Sequence, residues 1–262
     1  MMRLALDQWT PVRDKAEGLA RLAASAAKAA GLGADILILP EMALTGYNIG
    51  PAAVRAAAEA GDGAMVQTIG SVAKKHGLAI VTGLPELAGD LVYNTALMVG
   101  SDGTKLAQYR KTHLFGAVDR SQFSPGQTLS PILTYQGWRL ALAICYDVEF
   151  PELVRTLALQ GAEALLVPTA NMEPYRGIPL RAVPVRAEEN EIFVAYANST
   201  GPEGDFTYCG LSCVCGPDGL DLARATDAPQ MITADLSRDH LNATRRKISH
   251  LNDRRTDLYQ TT

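Results

Sequence analysis

The residue best suited to covalent chemistry is Cys145, which lies between a predicted strand and a predicted helix. The apolar run 140–144 predicts a strand ending at the cysteine, and Pro151 favours the start of a helix soon after it. A thiol at such a turn has backbone N–H groups behind it, and nearby positive charge favours its thiolate. A free cysteine is most often an inert core residue, but this one has the polar neighbours Tyr146, Asp147 and Glu149. We therefore predict that Cys145 is a nucleophile.

Glu41 is the candidate general base. The apolar run 36–39 predicts a buried strand, and Pro40 lacks a backbone donor and ends it. Glu41 then lies at the carboxyl end of the strand, the edge where α/β sheets place ligand sites. Burial there would raise its pKa and make it a usable base near neutral pH, whereas a solvated glutamate would have no such role. Taken alone, Glu41 is better explained as a solvated glutamate at a strand end, so its role as a base depends on the other two candidates.

Lys111 is the candidate cation. It follows the predicted strand 106–110 within the segment YRKTH. A lysine at a strand end is usually exposed, so a functional interpretation depends on Glu41 and Cys145 lying nearby.

Other nucleophile and metal chemistries fit the sequence less well. A Cys–His protease needs a histidine partner, and of the four histidines only His113 lies in a candidate segment, where we expect it to pack beside the lysine. The sequence has no G-x-S-x-G, H-E-x-x-H, P-loop or G-x-G-x-x-G pattern. Cys209, Cys213 and Cys215 form C-x3-C-x-C, but no histidine or second cysteine pair completes a tetrahedral set. We interpret them as small core residues of one buried strand over 207–215, and we expect no metal site.

The elements that must position these residues alternate between strands and helices. Strands are predicted at 4–6, 36–39, 79–82, 93–99, 106–110, 140–144, 164–167 and 192–196, and helices at 15–30, 64–76, 151–160 and 181–190. No Ser/Gly-rich linker interrupts this order, which predicts one α/β domain over residues 1–262 with two sheets. From about Leu241 the sequence is polar and arginine-rich, which is typical of a tail.

The composition is that of an ordinary globular protein. Of the 262 residues, 47% are apolar and 20% charged, and the net charge is −4. The absence of a basic tract argues against nucleic acid or an anionic membrane as a partner. The apolar runs are strand-length, and Asp7 interrupts the N-terminal segment before a signal-peptide core could form. We therefore expect a cytoplasmic location, with the four cysteines present as thiols.

Together, the three candidate segments resemble the nitrilase, or carbon–nitrogen hydrolase, superfamily, which carries Glu, Lys and Cys in this order. The motifs are LPEMALTGY, YRKTHLFG and ICYDVEFPE. The resemblance extends to YNTALMV, LVPTANMEPY, RAEEN, FVAYANSTG and RKISHLNDRRTDLY, so we expect the C-terminal stretch to be ordered rather than loose. Within the superfamily, these segments are most similar to 5-aminopentanamidases and R-stereoselective amidases.

The resemblance implies a four-layer α-β-β-α sandwich that forms a homodimer or larger homo-oligomer and hydrolyses an aliphatic amide without a cofactor. It implies that Cys145 forms a thioester, that Glu41 is the acid–base group, and that Lys111 and the N–H of Tyr146 hold the oxyanion. Many members carry a second glutamate between the lysine and the cysteine. The matching residue here is Asp119, one methylene shorter, which we expect to orient Lys111.

The resemblance also favours a short amide with a terminal ammonium, 5-aminopentanamide first. A buried ammonium needs an anionic or accepting partner. Glu149 beside the nucleophile or Glu173 in the loop after strand 164–167 would supply it, with Asn171 as a neutral acceptor. The sequence is equally compatible with a solvated Glu173 that has no role.

Several alternatives stay open. Within the same class, the substrate would be a nitrile, an N-carbamoyl amine or a dicarboxylic monoamide of the ω-amidase type. A non-catalytic binding protein with the same fold is disfavoured by the intact Glu–Lys–Cys set. A redox-sensing thiol protein built on Cys145 would show reversible disulfide chemistry and release no ammonia.

Overall fold

The computed structural model describes residues 1–259 of the chain. The strands are β1 (Met2–Gln8), β2 (Ile36–Ile38), β3 (Ala79–Ala88), β4 (Leu91–Val99), β5 (Lys105–Arg110), β6 (Leu133–Tyr135), β7 (Trp138–Leu142), β8 (Ala164–Thr169), β9 (Phe193–Asn198), β10 (Thr200–Glu203), β11 (Phe206–Cys209), β12 (Cys213–Cys215), β13 (Asp221–Arg224) and β14 (Gln230–Leu236). The α-helices are α1 (Lys15–Gly31), α2 (Pro51–Ala57), α3 (Ala64–His76), α4 (Gly116–Gln122), α5 (Pro151–Leu159), α6 (Val183–Asn190) and α7 (Arg238–Lys247).

Within residues 1–259 the strands build two six-stranded sheets of similar design and one two-stranded hairpin. The strand orders are β14-β1-β2-β3-β4-β5 and β13-β12-β9-β8-β7-β6, and β10 pairs with β11. In both sheets the central strands, β1-β2-β3 and β7-β8-β9, are parallel, and antiparallel strands flank them. Parallel strands end at one edge of a sheet, so the segments that follow β2, β7 and β8 are available to build a site.

Side-chain alternation along the strands gives each sheet one face toward the other sheet and one toward helices. Leu4 of β1 and Leu140 of β7 belong to the apolar layer between the sheets. Ala5, one residue along, packs with α1 and α3, whereas Ala141 packs with α5 and α6. The resulting order of layers is α-β-β-α, which confirms the expected sandwich.

Most predicted elements are confirmed, with changes at their ends. The predicted helix 64–76 is α3, from Ala64 to His76. The predicted strand 140–144 stops at Leu142, because the chain turns toward Cys145. The predicted helix 181–190 begins at Val183, after a π-helical turn over Ile178–Ala182.

The prediction of one strand over 207–215 is wrong. Gly210 and Leu211 have φ angles of +63° and +61°, which break the extended backbone. As a result β11 pairs with β10, whereas β12 joins β9 and β13 in a six-stranded sheet. All three cysteines of this region are nevertheless buried, as expected.

The C-terminal stretch predicted first as a tail begins inside helix α7. Beyond the helix, the N–H of Leu251 donates to the carboxylate of Glu191 at 3.3 Å, which attaches the following turns to the body of the protein. Residues 1–259 contain no helix that is long and apolar enough to cross a membrane.

Candidate active site

Glu41 lies just beyond β2, in a turn that requires a glycine on the neighbouring strand. A Cβ added to Gly83 would lie 2.8 Å from the Cα of Glu41 and 2.7 Å from the N of Met42. The N–H of Glu41 donates to the carbonyl of Thr169 at the end of β8, at 3.2 Å. The carboxyl ends of β2 and β8, one from each sheet, therefore meet at Glu41.

Glu41, Lys111 and Asp119 form a charge cluster whose side chains are fully buried. Lys111 Nζ donates to Glu41 Oε1 at 2.8 Å and to Asp119 Oδ2 at 2.7 Å. The same Glu41 oxygen accepts from Asn94 Nδ2 at 2.6 Å, and Asp119 Oδ1 accepts from the Tyr47 hydroxyl at 2.8 Å. Glu41 Oε2 has no hydrogen-bond partner within the described residues, so this oxygen is free to exchange a proton with a thiol or a substrate.

Burial and mutual charge set the protonation of this cluster. Burial raises the pKa of Glu41; Lys111 opposes the rise and Asp119 adds to it. Burial by itself would lower the pKa of Lys111, but the carboxylates of Asp119 and Glu41 raise it well above its usual value. The lysine therefore stays an ammonium, and the glutamate has the raised pKa that suits a general base.

Cys145 begins a 3-10 helix over Cys145–Glu149, directly after the segment that leaves β7. Its φ angle is +44°, in the left-handed region, where a residue with a side chain is strained by about 1–3 kcal/mol. The backbone N–H of Ala170, after β8, acts on the thiol as a hydrogen-bond donor and lowers its pKa. Tyr146 is the second residue of the 3-10 helix, and N–H groups in a first turn lack intrahelical acceptors. This geometry makes the N–H of Tyr146 a candidate oxyanion donor.

The thiol of Cys145 has a pKa well above its ordinary value. Burial is the main cause, the charge of Glu41 adds to it, and the charge of Lys111 acts in the opposite direction. Lys111 thus lowers the pKa of the thiol, as expected, but burial and the charge of Glu41 outweigh its effect. A resting thiol, rather than a thiolate, needs a base at the moment of attack.

Asp147 is a buried residue of this region, although the sequence indicates it only as a polar neighbour of Cys145. Its Oδ2 accepts from the N–H of Ile144 at 3.0 Å and from the Tyr109 hydroxyl at 2.9 Å. Its Oδ1 accepts from Thr112 Oγ1 and from the N–H of His113, both at 3.1 Å. The carboxylate therefore fastens the turn that carries the nucleophile to the segment that carries the lysine. The sequence feature that could have identified Asp147 is its position two residues after the cysteine.

The three candidate substrate contacts lie in different surroundings. Glu149 is half-buried, burial raises its pKa against the charges of Lys111 and Arg186, and its carboxylate makes no hydrogen bond within residues 1–259. Glu173 is exposed and pairs with Arg176 at 2.6 Å.

Asn171 is buried, and its side-chain amide donates to the carbonyl of Tyr175 at 3.1 Å. Its own N–H donates to Asn198 Oδ1 at 2.7 Å. The structure thus uses Asn171 to shape the loop after β8.

Among residues 1–259, the C-x3-C-x-C cysteines make no hydrogen bond to the charge cluster. The Sγ atoms of Cys213 and Cys215 are 3.9 Å apart, whereas Cys209 accepts from the side chain of Asn198. Within the described residues, no group of three or more His, Cys, Asp or Glu side chains is arranged to hold a metal ion.

Comparison with known proteins gives relatives over nearly the whole chain. Residues 3–246 match the family described as carbon-nitrogen hydrolase. A protein of Pseudomonas protegens, described as a hydrolase in the pqqF 5′ region, is 46% identical over 98% of this chain and 90% of its own length. An (R)-stereoselective amidase of a Pseudomonas species is 37% identical over 94% of this chain and 88% of its own.

The solved structures include an amidase from Nesterenkonia sp. AN1. It is 34% identical to this chain, and the alignment covers 98% of each chain. The two structures superpose with a TM-score of 0.85. Its E41Q variant carries the product of Michael addition of acrylamide at the active-site cysteine, and its C145A variant binds butyramide.

Proposed function

Because the chain belongs to the carbon–nitrogen hydrolase family and is a cysteine amidase of that family, we propose that it hydrolyses short aliphatic amides bearing a terminal ammonium, preferentially 5-aminopentanamide. One observation supports this charge preference most directly. The carboxylate of Glu149 is half-buried beside the nucleophile and has no hydrogen-bond partner in the described part of the chain.

In the first half of the proposed reaction, Cys145 attacks the amide. Glu41 accepts the thiol proton through Oε2, which has no hydrogen-bond partner in the described part of the chain, as the sulfur bonds to the carbonyl carbon. The Lys111 ammonium and the N–H of Tyr146 hold the oxyanion. Glu41 then returns the proton to the departing nitrogen, the C–N bond breaks, and ammonia leaves a thioester on the cysteine.

In the second half, water resolves the thioester. Glu41 takes a proton from the water as its oxygen attacks the carbonyl carbon, and it returns that proton to the sulfur as the C–S bond breaks. The carboxylic acid is released and the thiol is restored. Water is the only co-reactant, so the scheme needs neither a metal nor a cofactor, and no histidine takes part.

Charge compensation argues for a cationic substrate. A desolvated ammonium is costly unless an anionic group pairs with it. Glu173 is less suited to that task, because it is exposed and already paired with Arg176. Glu149 has no ion-pair partner within residues 1–259, and its charge is close enough to Cys145 to raise the pKa of the thiol. We therefore propose Glu149 as the ammonium partner, with Asn171 shaping the loop beside it.

The test is a comparison of ammonia release from three amides of similar length. We expect kcat/KM for 5-aminopentanamide to exceed that for pentanamide by at least roughly tenfold, about 1.4 kcal/mol. Glutaramate should be the poorest of the three, because its carboxylate faces Glu149. Equal values would indicate a general amidase, and a preference for glutaramate would indicate an ω-amidase.

We also propose that the protein is a cytoplasmic homodimer or larger homo-oligomer, with residues 1–262 forming one domain. The apolar layer shared by the two sheets supports a single domain. Exposed Leu159, Leu180 and Val185 on and next to α5 and α6 support pairing across those helices. Light scattering at several protein concentrations tests the assembly, and a charged residue in place of Val185 should weaken it.

A further inference from the structure

The hairpin of β10 and β11 lies between two loops that line the candidate active site. On one side it fixes the loop after β8, because the N–H of Cys209 donates to the carbonyl of Asn171 at 3.0 Å and the N–H of Glu173 donates to the carbonyl of Thr207 at 2.9 Å. On the other side it faces the loop after Glu41.

Glu203, at the end of β10, binds the loop after Glu41 by two consecutive backbone N–H groups. Its Oε2 accepts from the N–H of Asn48 at 2.7 Å, and its Oε1 accepts from the N–H of Tyr47 at 3.1 Å. Gly46 precedes them with a φ of +89°, and a Cβ there would lie 2.7 Å from Glu203 Oε1. Successive N–H groups after a left-handed residue form a concave anion-binding nest. The carboxylate that fills this nest comes from the protein itself.

Two tyrosines connect this contact to the charge cluster. The hydroxyl of Tyr208 donates to Glu203, and its ring packs edge-to-face on the ring of Tyr47, with centroids 6.5 Å apart. The hydroxyl of Tyr47 donates to Asp119 Oδ1, and the other oxygen of Asp119 binds Lys111. A continuous series of contacts therefore joins Glu203 to the catalytic lysine.

We infer that Glu203 is a positioning residue for the amidase reaction, and that it acts by holding Tyr47 in place to orient Asp119 and Lys111. The inference rests on the nucleophilic role proposed for Cys145. Glu203 is not suited to bind the substrate ammonium, because its oxygens already accept from Tyr47, Asn48 and Tyr208. Glu203 and Glu149 thus have separate tasks, one holding the catalytic cluster and the other meeting the substrate.

The test is a double-mutant cycle between Glu203→Gln and Tyr47→Phe. Glutamine keeps the size but loses the charge and one acceptor, so we expect kcat to fall roughly tenfold with KM little changed. Tyr47→Phe should lower kcat to a similar extent. If Glu203 acts through Tyr47, the double variant should be scarcely slower than the slower single variant, whereas independent effects would multiply.

A second measurement needs no substrate. The rate at which iodoacetamide alkylates Cys145, followed by peptide mass over a range of pH, reports the thiol's pKa. Lys111 lowers this pKa, so a less firmly held lysine should move the profile to higher pH in Glu203→Gln and Tyr47→Phe. A change in stability alone would leave the profile in place. Wild type that resists alkylation at Cys145 would contradict the nucleophile assignment rather than the role of Glu203.

Asp205→Asn is the matched control. Asp205 lies in the same hairpin and accepts from the side-chain amide of Asn48 at 2.6 Å, but it does not contact the two N–H groups. We expect wild-type kcat and alkylation in this variant. Equal losses in Asp205→Asn and Glu203→Gln, or multiplicative effects in the cycle, would overturn the inference. If Glu203→Gln does not fold, Tyr47→Phe still decides, since wild-type kcat and pH profile in that variant would also overturn it.

Discussion

The charge cluster and the outer carboxylates of the site use the same residue types in contrasting surroundings. Glu41 and Asp119 are fully buried and both accept from Lys111, whereas Glu173 is exposed and Glu149 is half-buried without a hydrogen bond in residues 1–259. Several hydrogen bonds and ion pairs hold a buried group in one position and one protonation state, as proton transfer and oxyanion binding require. A carboxylate without a partner is instead available to a ligand. In the proposed function, this contrast separates the residues that perform the reaction from those that select the substrate.

The largest effect should come from the nucleophile. Cys145→Ala removes the attacking sulfur, so ammonia release should fall to background while thermal unfolding stays close to wild type. Cys213→Ala is the matched control, because it makes the same change at a buried cysteine outside the site. It should lower the free energy of unfolding modestly and leave kcat nearly unchanged. Substantial turnover by Cys145→Ala would rule out the thioester route.

Within the charge cluster, Glu41→Gln should cost more activity than Asp119→Asn. Loss of a general acid–base group lowers kcat by roughly 10²–10⁴-fold, whereas the role proposed for Asp119 is only to orient the lysine. Activity requires Glu41 to be deprotonated, so kcat/KM falls as pH drops through its raised pKa. Asp119 contributes to raising that pKa. Asp119→Asn should therefore move the acidic limb of the pH profile to lower pH.

Glu86→Gln serves as the control for these two variants. Glu86 is a buried carboxylate on β3 that pairs with Arg110 at 2.5 Å, outside the cluster. Its substitution should reduce stability and leave the acidic limb in place. An Asp119→Asn variant as inactive as Glu41→Gln would give Asp119 a primary role in proton transfer.

How far the sequence predicts this site depends on the range of the contacts. Pro40-Glu41 at a strand end and Cys145 before a helix follow from local patterns, and continuous apolar runs predict the buried strands. The link between Asp147 and the lysine segment spans more than thirty residues, and the link between Glu203 and Tyr47 spans 156 residues of sequence. No local pattern encodes such pairs. The break at Gly210 and Leu211 was missed because a leucine with positive φ has no sequence signature.

The smallest of the expected effects concerns the substrate-selecting region, and it separates Glu149 from Glu173. Both glutamates are candidate partners of the substrate ammonium, and Glu149→Gln and Glu173→Gln make identical chemical changes. If Glu149 pairs with the substrate ammonium, its substitution should reduce kcat/KM for 5-aminopentanamide roughly tenfold, in the range of one partly buried charged hydrogen bond. It should leave pentanamide nearly unaffected, because that amide has no charge to lose a partner. Glu173→Gln should change neither substrate, since an exposed ion pair with Arg176 contributes little. Steady-state kinetics of the four enzyme–substrate pairs measures the difference directly. If only Glu173→Gln lowers kcat/KM for 5-aminopentanamide, the ammonium contact belongs to the loop after β8 instead. If Glu149→Gln lowers kcat/KM equally for both amides, Glu149 acts with the charge cluster in the reaction and does not select the substrate.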